Sequence, residues 1–231
     1  MTIVKVYVLR HGETDANANR IIQGQLNTSL NAAGREQAII VGNVLKNVPF
    51  THAYTSDLTR AVDTARAILV HHPNVPLIAT KDLRERYMGN LEGVQVLDRK
   101  KRPPNDSTVE TSQSLLARLF TWWSQNLFSL LVSPDAPSIC HVLVVSHGAS
   151  ISTLMNALYS IGFRAPPPER NFRQFGGLLN TSVTELAMGP APSPRGPEDA
   201  EWLGIVIRYN DASHLFRRTV TQENVDVQEN P

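Results

Sequence analysis

The alternation of short apolar runs with amphipathic segments constrains the fold of this chain more than any other feature. His141–Ser146 is His-Val-Leu-Val-Val-Ser, and Val4–Leu9 is also β-branched and apolar, which is typical of strands buried on both faces. Between such runs, Ala32–Lys46 has apolar residues at helical spacing and follows a candidate cap, Asn31. This pattern predicts an α/β fold, a three-layer sandwich in which a mostly parallel central sheet carries helices on both faces.

The same two patterns predict the remaining elements. Further strands are predicted at Ala53–Thr55 and Val75–Ala79, with a late pair at Thr181–Met188 and Trp202–Tyr209. Further helices are predicted at Leu58–Val70, Thr108–Leu131 and Ala149–Leu158. We find no internal repeat, and we expect a single domain over residues 1–231.

Composition excludes several classes of protein. The 22 basic and 21 acidic residues give a net charge of +1, which argues against nucleic-acid and polybasic membrane surfaces. No apolar run approaches the roughly 20 residues that cross a bilayer, and Lys5 within the first apolar stretch favours a strand over a secretory signal. The single cysteine, Cys140, excludes a disulfide framework and a cysteine-rich metal site. We therefore expect a cytoplasmic protein with no nucleic-acid or membrane partner, of undetermined oligomeric state.

Proline and polar residues mark the irregular segments. A proline-rich stretch at about 189–200 separates the two late strands and predicts a flexible loop. The tail at about 216–231 is polar, and we expect it to be poorly ordered. A short segment at about 94–107 precedes the long helix and contains the basic run Arg99–Arg102.

Three predicted strands lead into residues suited to anion chemistry. The first strand ends in Arg10-His11, the second runs into a helix that begins near Arg60, and the strong apolar strand is followed by His147. Ligands of open α/β sheets bind beyond the carboxyl ends of the strands, so these four side chains should converge. A glycine follows each of the two histidines, which allows the backbone to approach a ligand closely.

Arg60 has two interpretations. A cation in the first turn of a helix opposes the helix dipole, and an ion pair with Asp57 or Asp63 would relieve the conflict. A bound phosphate would relieve it as well, because helix N-termini and guanidinium groups both favour phosphate. Taken alone, Arg60 favours the ion pair, whereas the convergence of two histidines and a second arginine favours the anion site.

Glu85 also has two interpretations. It lies between Arg84 and Arg86, and such a run usually indicates a surface cluster of ion pairs. Alternatively, Glu85 donates and accepts the proton that a phosphate-ester reaction requires at the leaving oxygen.

Taken together, the motifs resemble the histidine phosphatase superfamily, whose fold is phosphoglycerate-mutase-like. The matching motifs are Arg10–Thr14, Ser56–Ala61, Leu83–Arg86, Leu91–Gly93, Ser146–Gly148, Asn180–Leu186 and Asn210–Leu215. They occur in the order of the family and span nearly the whole chain. Three segments look most like the TIGAR-type fructose-2,6-bisphosphatase branch, namely Ile21–Gln25, Phe50–Asp57 and Val142–Gly148.

The resemblance implies a role for each matching residue. His11 is expected to be the nucleophile that forms a phosphohistidine, with Glu85 as the general acid. Arg10, Arg60 and His147 are expected to hold the phosphoryl oxygens. Further phosphate-binding roles are implied for Asn17, Gln23, Gly24 and Gly148. The resemblance implies neither a metal nor another cofactor.

Two departures from the family pattern bear on the activity. The segment before the long helix is short, which predicts an open pocket and favours hydrolysis over return transfer of the phosphoryl group. The usual Gly-Gly-Glu is Thr108-Val109-Glu110 here, which leaves the contribution of Glu110 open. The Arg99–Arg102 run is either a solvated loop or a grip on a second anionic group of the substrate.

The leading hypothesis is a metal-independent phosphomonoesterase that acts on a small phosphorylated metabolite. Phosphoglycerate mutase-type phosphoryl transfer is the alternative within the same family. A metallohydrolase with His11, His147 and Glu85 as ligands is disfavoured, because two arginines nearby would repel a cation. A non-catalytic phosphate-binding protein is disfavoured by the complete set of candidate catalytic residues.

Overall fold

Six strands form one sheet in this computed structural model, which describes residues 2–95, 106–164, 177–190 and 202–216. The strands are β1 (Ile3–Arg10), β2 (His52–Ser56), β3 (Leu77–Thr80), β4 (Ile139–Ser146), β5 (Val183–Pro190) and β6 (Trp202–Asp211). Their order across the sheet is β3-β2-β4-β1-β5-β6. The four strands from β3 to β1 are parallel to one another. β5 pairs antiparallel with β1, and β6 pairs antiparallel with β5. The predicted mostly parallel sheet is therefore confirmed.

α-Helices accompany the strands in the described ranges. They are α1 (Asp15–Ala18), α2 (Ala32–Leu45), α3 (Thr59–Leu69), α4 (Ser112–Trp123), α5 (Ser129–Val132) and α6 (Gly148–Ser160). A π-helical segment, Ser124–Phe128, joins α4 to α5. Short 3-10 turns lie at Lys81–Leu83 and Gly89–Leu91. The predicted cap of α2 is present, since the Asn31 side chain accepts a hydrogen bond from the Gly34 N–H group at 2.8 Å.

The helices cover both faces of the sheet, as the α/β sandwich requires. On one face, α4 and α6 enclose a core that includes Val6, Val8, Leu119, Trp123, Val142, Val144, Ile151 and Met155. On the other face, α2 and α3 enclose a core that includes Leu9, Val41, Leu45, Ala65, Ile68, Leu143 and Val145. Successive residues of β4 alternate between the two cores because side chains of a strand alternate between its faces.

Element boundaries differ from the predictions where local hydrogen bonds intervene. The long helix begins at Ser112 rather than Thr108, because Thr111 caps it by accepting the Ser114 N–H group at 3.0 Å. β3 begins two residues later than predicted, because the Val75 N–H group donates to the His72 carbonyl oxygen in a turn. The late strands β5 and β6 both extend two residues beyond their predicted ends.

Several predictions concern residues outside the described ranges. The Arg99–Arg102 run is one of them, as are most of the cover segment at 94–107, the loop at 189–200 and the tail at 216–231. Among the residues that the structure does describe, no helix has the length and apolar character that spanning a membrane requires.

The sheet register brings two of the sequence motifs together. Arg10 at the end of β1 pairs with Ser146 at the end of β4, and β2 runs parallel beside β4. The residues that follow these three strands therefore lie at one edge of the sheet.

Candidate active site

Two histidines and an arginine meet at this edge, as predicted. The rings of His11 and His147 lie with their centroids 5.1 Å apart, and both side chains are buried. Arg60, in the first turn of α3, places its Nε atom 3.2 Å from Nε2 of His11. Arg10 reaches the same place: a Cβ atom added to Gly148 would lie 3.7 Å from Nε of Arg10 and 4.0 Å from Oε2 of Glu85.

The hydrogen bonds of His11 define its tautomer. Its Nδ1 atom lies 2.7 Å from the Gly12 carbonyl oxygen, which can only accept a hydrogen bond. Its Nε2 atom faces Nε of Arg60, which can only donate one. The proton therefore resides on Nδ1, and Nε2 carries the lone pair.

Burial keeps both histidines neutral. It lowers the pKa of His11 well below the ordinary 6.5, and the positive charges of Arg60 and Arg10 lower it further. Burial also lowers the pKa of His147 well below that value, with Arg60, His11 and Arg10 acting in the same direction. At neutral pH, the His11 imidazole is therefore neutral, and its Nε2 atom carries no proton.

Arg60 turns towards the histidines and away from the acidic residues of its own helix. Its Nη1 and Nη2 atoms donate to the carbonyl oxygens of Leu26, at 2.6 Å, and Gly24, at 2.8 Å. Burial lowers its pKa to about 10, so the guanidinium remains charged at neutral pH. Asp57 instead forms a two-pronged ion pair with Arg84, at 2.6 and 2.7 Å. The alternative that paired Arg60 with Asp57 is therefore wrong.

Arg10 enters the site from the end of β1. Its Nη1 atom donates to the Leu178 carbonyl oxygen. Burial lowers its pKa, and the negative charge of Glu85 opposes this shift. Within the described part of the chain, the buried Nε atom of Arg10 has no hydrogen-bond partner, and neither has either ring nitrogen of His147.

Glu85 is held by backbone N–H groups. Its carboxylate accepts hydrogen bonds from Ala149 at 3.0 Å and Ser150 at 3.1 Å, both in the first turn of α6, and from Arg86 at 2.8 Å. The N-cap residue of α6, His147, makes no side-chain cap, so Glu85 satisfies these N–H groups in its place. Glu85 itself pairs with neither flanking arginine, and the surface-cluster interpretation is wrong for this residue.

The predicted phosphate-binding residues Asn17 and Gln23 use their oxygens within the protein. The Asn17 amide oxygen accepts from the N–H and hydroxyl groups of Thr14, at 3.2 and 3.1 Å. The Gln23 amide oxygen accepts from the hydroxyls of Thr14, at 2.9 Å, and Thr28, at 2.6 Å. Only the NH₂ groups of these two side chains remain to contact an anion.

Gly24 and Gly148 lie close to the charged groups. Gly24 has φ = +51°, a left-handed conformation that favours glycine, and a Cβ atom there would lie 2.2 Å from the Glu92 carboxylate. Gly148 is the first residue of α6 and lies between Arg10 and Glu85. Their roles in binding phosphate remain predictions.

Arg118 is a residue of the site that sequence reasoning missed. From α4, its guanidinium donates to the backbone carbonyl oxygens of Asp82 at 2.8 Å, Arg84 at 2.9 Å and Glu85 at 3.0 Å. It also pairs with Glu110 through two contacts of 2.9 Å. A signal was present, because Arg118 falls on the apolar stripe of this helix.

The open question about Glu110 is answered by the same contacts. Besides Arg118, its carboxylate accepts the Tyr87 N–H group at 3.1 Å. Burial favours the neutral acid, but the hydrogen bond and charge of Arg118 outweigh it and lower the pKa of Glu110. Glu110 therefore acts near the site indirectly, as a brace for the segment that carries Glu85.

Asn180 and Thr181, to which the sequence analysis gave no role in the site, contact the backbone at the end of β1. The Asn180 side chain donates to the His11 carbonyl oxygen at 2.9 Å, and the Thr181 N–H group donates to that of Arg10 at 3.0 Å. Thr181 has φ = +54°, which is strained for a β-branched residue, and its hydroxyl lies 3.2 Å from Nε2 of His214. The C-terminal part of the described chain thus supports the β1 end of the site.

The described side chains offer no ready metal site. Among residues 2–95, 106–164, 177–190 and 202–216, no three His, Cys, Asp or Glu side chains are grouped closely enough to hold a metal ion. The donors around His11 are instead cationic or neutral, a set suited to an anion.

The architecture defines the class of protein. A solved structure of a mycobacterial glucosyl-3-phosphoglycerate phosphatase in complex with VO3 aligns with a TM-score of 0.70 and 26% sequence identity. The alignment covers 90% of this chain and 99% of that one. The fold is therefore phosphoglycerate-mutase-like, as predicted.

The chain belongs to the histidine phosphatase superfamily (branch 1), whose family model matches residues 6–191. A probable phosphatase of Schizosaccharomyces pombe is 30% identical over 216 residues, covering 92% of this chain and 95% of the relative. The fructose-2,6-bisphosphatase TIGAR of Xenopus tropicalis is 28% identical over 244 residues, covering 83% and 89%. The prediction of a phosphatase in this superfamily is confirmed, and phosphoglycerate mutases also occur among the similar proteins.

Proposed function

We propose that this protein is a metal-independent phosphomonoesterase that hydrolyses a small phosphorylated metabolite through a phosphohistidine on His11. One observation carries the proposal. The His11 lone pair on Nε2 faces a cluster of positive charge, while the Gly12 carbonyl oxygen holds the proton on Nδ1. A neutral imidazole fixed in this tautomer can attack phosphorus directly.

In the first step, Nε2 of His11 attacks phosphorus and the bond from phosphorus to the leaving oxygen breaks. Glu85 takes up the proton that the ester brings as its monoanion and gives it to the leaving oxygen, so the alcohol leaves neutral. The charge that spreads over the three equatorial oxygens is balanced by Arg10 and Arg60 and by an N–H group of His147.

In the second step, water attacks the phosphohistidine and the bond from phosphorus to Nε2 breaks. The Glu85 carboxylate accepts a proton from this water and passes it to the departing phosphate, which restores the carboxylate. Inorganic phosphate leaves, and His11 returns to its neutral form for the next turnover.

The buried polar atoms without partners support this division of roles. In the candidate site, the described atoms of this kind are Nε of Arg10 and the two ring nitrogens of His147. Buried donors normally find an acceptor, and a phosphoryl oxygen would supply one to Nε of Arg10 and to the single N–H group of neutral His147. We assign supporting phosphate contacts to the NH₂ groups of Asn17 and Gln23 and to the backbone at Gly24 and Gly148.

Several relatives are named as phosphatases, which supports hydrolysis over transfer of the phosphoryl group to a second acceptor. The substrate is assigned as a small phosphate ester. Phosphoglycerate mutase activity is the second candidate, because mutases occur among the similar proteins. We further propose a cytoplasmic protein whose residues 1–231 form one catalytic domain.

A phosphate-release assay tests the proposal. The purified chain is presented with sugar phosphates, sugar bisphosphates and phosphoglycerates in the presence of a metal chelator, beside the His11→Ala variant. We expect release from at least one ester by the wild type, insensitivity to the chelator, and none from His11→Ala. Interconversion of 2- and 3-phosphoglycerate that exceeds phosphate release would instead establish the mutase. Chelator-sensitive activity restored by a divalent cation would contradict metal independence.

A further inference from the structure

Thr64 links the loop of the nucleophile to the helix that carries Arg60. The side chain is fully buried, and its hydroxyl donates to the Arg60 carbonyl oxygen at 2.7 Å. The same Oγ1 atom accepts a hydrogen bond from the Gly12 N–H group at 3.0 Å. The first bond is common for a threonine inside a helix, whereas the second reaches 52 residues back along the chain to the site.

The second bond matters because Gly12 orients His11. The Gly12 carbonyl oxygen is the acceptor for Nδ1 of His11, so the orientation of this residue, together with the Arg60 donor at Nε2, determines which ring nitrogen carries the proton. The peptide group that contains this carbonyl is held on its other side, where the Glu13 N–H group donates to the Gln37 side chain at 2.9 Å. Gly12 also packs on the backbone of α2, since a Cβ atom there would lie 2.5 Å from the Gly34 carbonyl oxygen.

We infer that Thr64 is a positioning residue that holds His11 in its reactive tautomer and keeps its Nε2 atom aligned with Arg60. This inference rests on the proposed function. A single hydroxyl contacts the backbone at Gly12 and at Arg60 of α3. The position of His11 is therefore coupled to that of an arginine of the phosphate site. Thr64 itself does not touch the reacting atoms.

Loss of the hydroxyl has a specific consequence. It leaves the Gly12 N–H group buried without an acceptor, and the adjoining peptide is free to reorient. The fraction of His11 with its proton on Nδ1 then falls. The side chains that bind the phosphoryl oxygens remain, so attack should suffer more than substrate binding.

The test compares Thr64→Val, which keeps the shape and removes the hydroxyl, with Thr64→Ser, which keeps the hydroxyl. Thr55→Val is the matched control, because Thr55 is equally buried and, among the residues that the structure describes, its hydroxyl bonds only to the Ser56 carbonyl oxygen at 3.1 Å. For Thr64→Val we expect kcat and the rate of phosphohistidine formation to fall about ten- to 10²-fold, with a much smaller change in KM. Thr64→Ser and Thr55→Val should remain near the wild type.

A spectroscopic readout separates positioning from general damage. The ¹⁵N shifts of the His11 ring should report the Nδ1–H tautomer in the wild type and in Thr64→Ser, and a mixture of tautomers in Thr64→Val. The inference is overturned if Thr64→Val folds, forms the phosphohistidine at the wild-type rate and keeps His11 in the Nδ1–H tautomer. Equal loss in Thr64→Ser and Thr64→Val also overturns it.

Three further outcomes are decisive. If Thr64→Val does not fold, Gln37→Leu loosens the neighbouring Gly12–Glu13 peptide, which carries the carbonyl oxygen that faces Nδ1 of His11. An unchanged His11 tautomer in that variant counts against the inference. If the wild type forms no phosphohistidine, the proposed function fails, whereas the tautomer comparison still tests Thr64. If the wild type and Thr64→Val form the phosphohistidine equally fast, the proposed function stands and only the inference about Thr64 fails.

Discussion

The Arg118 guanidinium donates a hydrogen bond to the backbone carbonyl oxygen of Glu85 across 3.0 Å, so α4 positions the candidate general acid. The same group holds the carbonyl oxygens of Asp82 and Arg84, and Glu110 holds the guanidinium in turn. Glu85 thus points at the N-terminus of α6 because its backbone is fixed from the opposite side.

Arg118→Lys should slow catalysis without abolishing binding. A lysine ammonium cannot satisfy three carbonyl oxygens and a carboxylate together, because it lacks the planar fork of arginine. We expect kcat to fall by up to about 10²-fold through misplacement of Glu85, with KM changing little. Steady-state kinetics measure this, with the exposed Arg66→Lys in α3 as the control. An unchanged kcat would show that the brace is dispensable.

Glu85→Gln separates proton donation from the other roles of this residue. The amide keeps the shape of the side chain but cannot supply a proton, so alkyl phosphate esters should lose about 10²- to 10⁴-fold in the rate of enzyme phosphorylation. An aryl ester such as p-nitrophenyl phosphate has a good leaving group, and should still give a rapid burst followed by slow hydrolysis.

Rapid-mixing kinetics on both ester types check this, with Glu36→Gln on the exposed face of α2 as the control. The role of Glu85 as general acid is refuted if alkyl and aryl esters lose the same factor.

Gly148→Ala should obstruct the phosphate site without unfolding the protein. The added Cβ atom would lie 3.7 Å from Nε of Arg10 and 4.0 Å from Oε2 of Glu85, which are ordinary contacts. It would nonetheless occupy the space where these groups face a bound ester. We expect KM and the inhibition constant for inorganic phosphate to rise about tenfold or more. Gly177→Ala is the matched control, since a Cβ atom there meets nothing within 4 Å; equal behaviour of the two variants would remove Gly148 from the site.

Acidification should destabilise the protein through the two buried histidines of the candidate site. The pKa of His11 and that of His147 are well below the ordinary 6.5 in the folded state, so only the unfolded chain takes up these protons just below pH 6.5. Above that pH, these two histidines do not reduce the free energy of unfolding. As the pH decreases below it, the free energy of unfolding falls by up to about 1.4 kcal/mol per pH unit for each histidine.

Urea titrations between pH 7.5 and 5 measure this slope, which should be shallower in a His147→Asn variant. A stability that does not depend on pH over this range, or an identical slope in the variant, would contradict the account.

The convergence of Arg10, His11, Arg60 and His147 was predictable from the sequence, because parallel strands deliver their carboxyl ends to one edge. Contacts between distant elements were not. Whether Asp57 pairs with Arg60 or Arg84 depends on how the segment after β3 packs against β2, which no periodicity encodes. The sequence analysis therefore considered Asp57 only as a partner of Arg60 and did not predict its pair with Arg84.

The supporting residues escaped prediction for related reasons. The bond from Thr64 to Gly12 joins two elements whose contact exists only in the folded chain. Arg118 lay within a correctly predicted helix, on the side that also carries Leu115 and Leu119. A charged residue on an apolar stripe needs a buried partner, and its position there was the available signal.

Trapping the phosphoenzyme tests the central claim most directly. The wild type is mixed with a substrate ester, quenched in base and digested, and the peptide that contains residues 10–14 is examined by mass spectrometry. The account predicts a base-stable, acid-labile phosphate on His11 that forms and decays fast enough for turnover and is absent in His11→Ala. Turnover with no phosphate on His11, or full activity in His11→Ala, would contradict it.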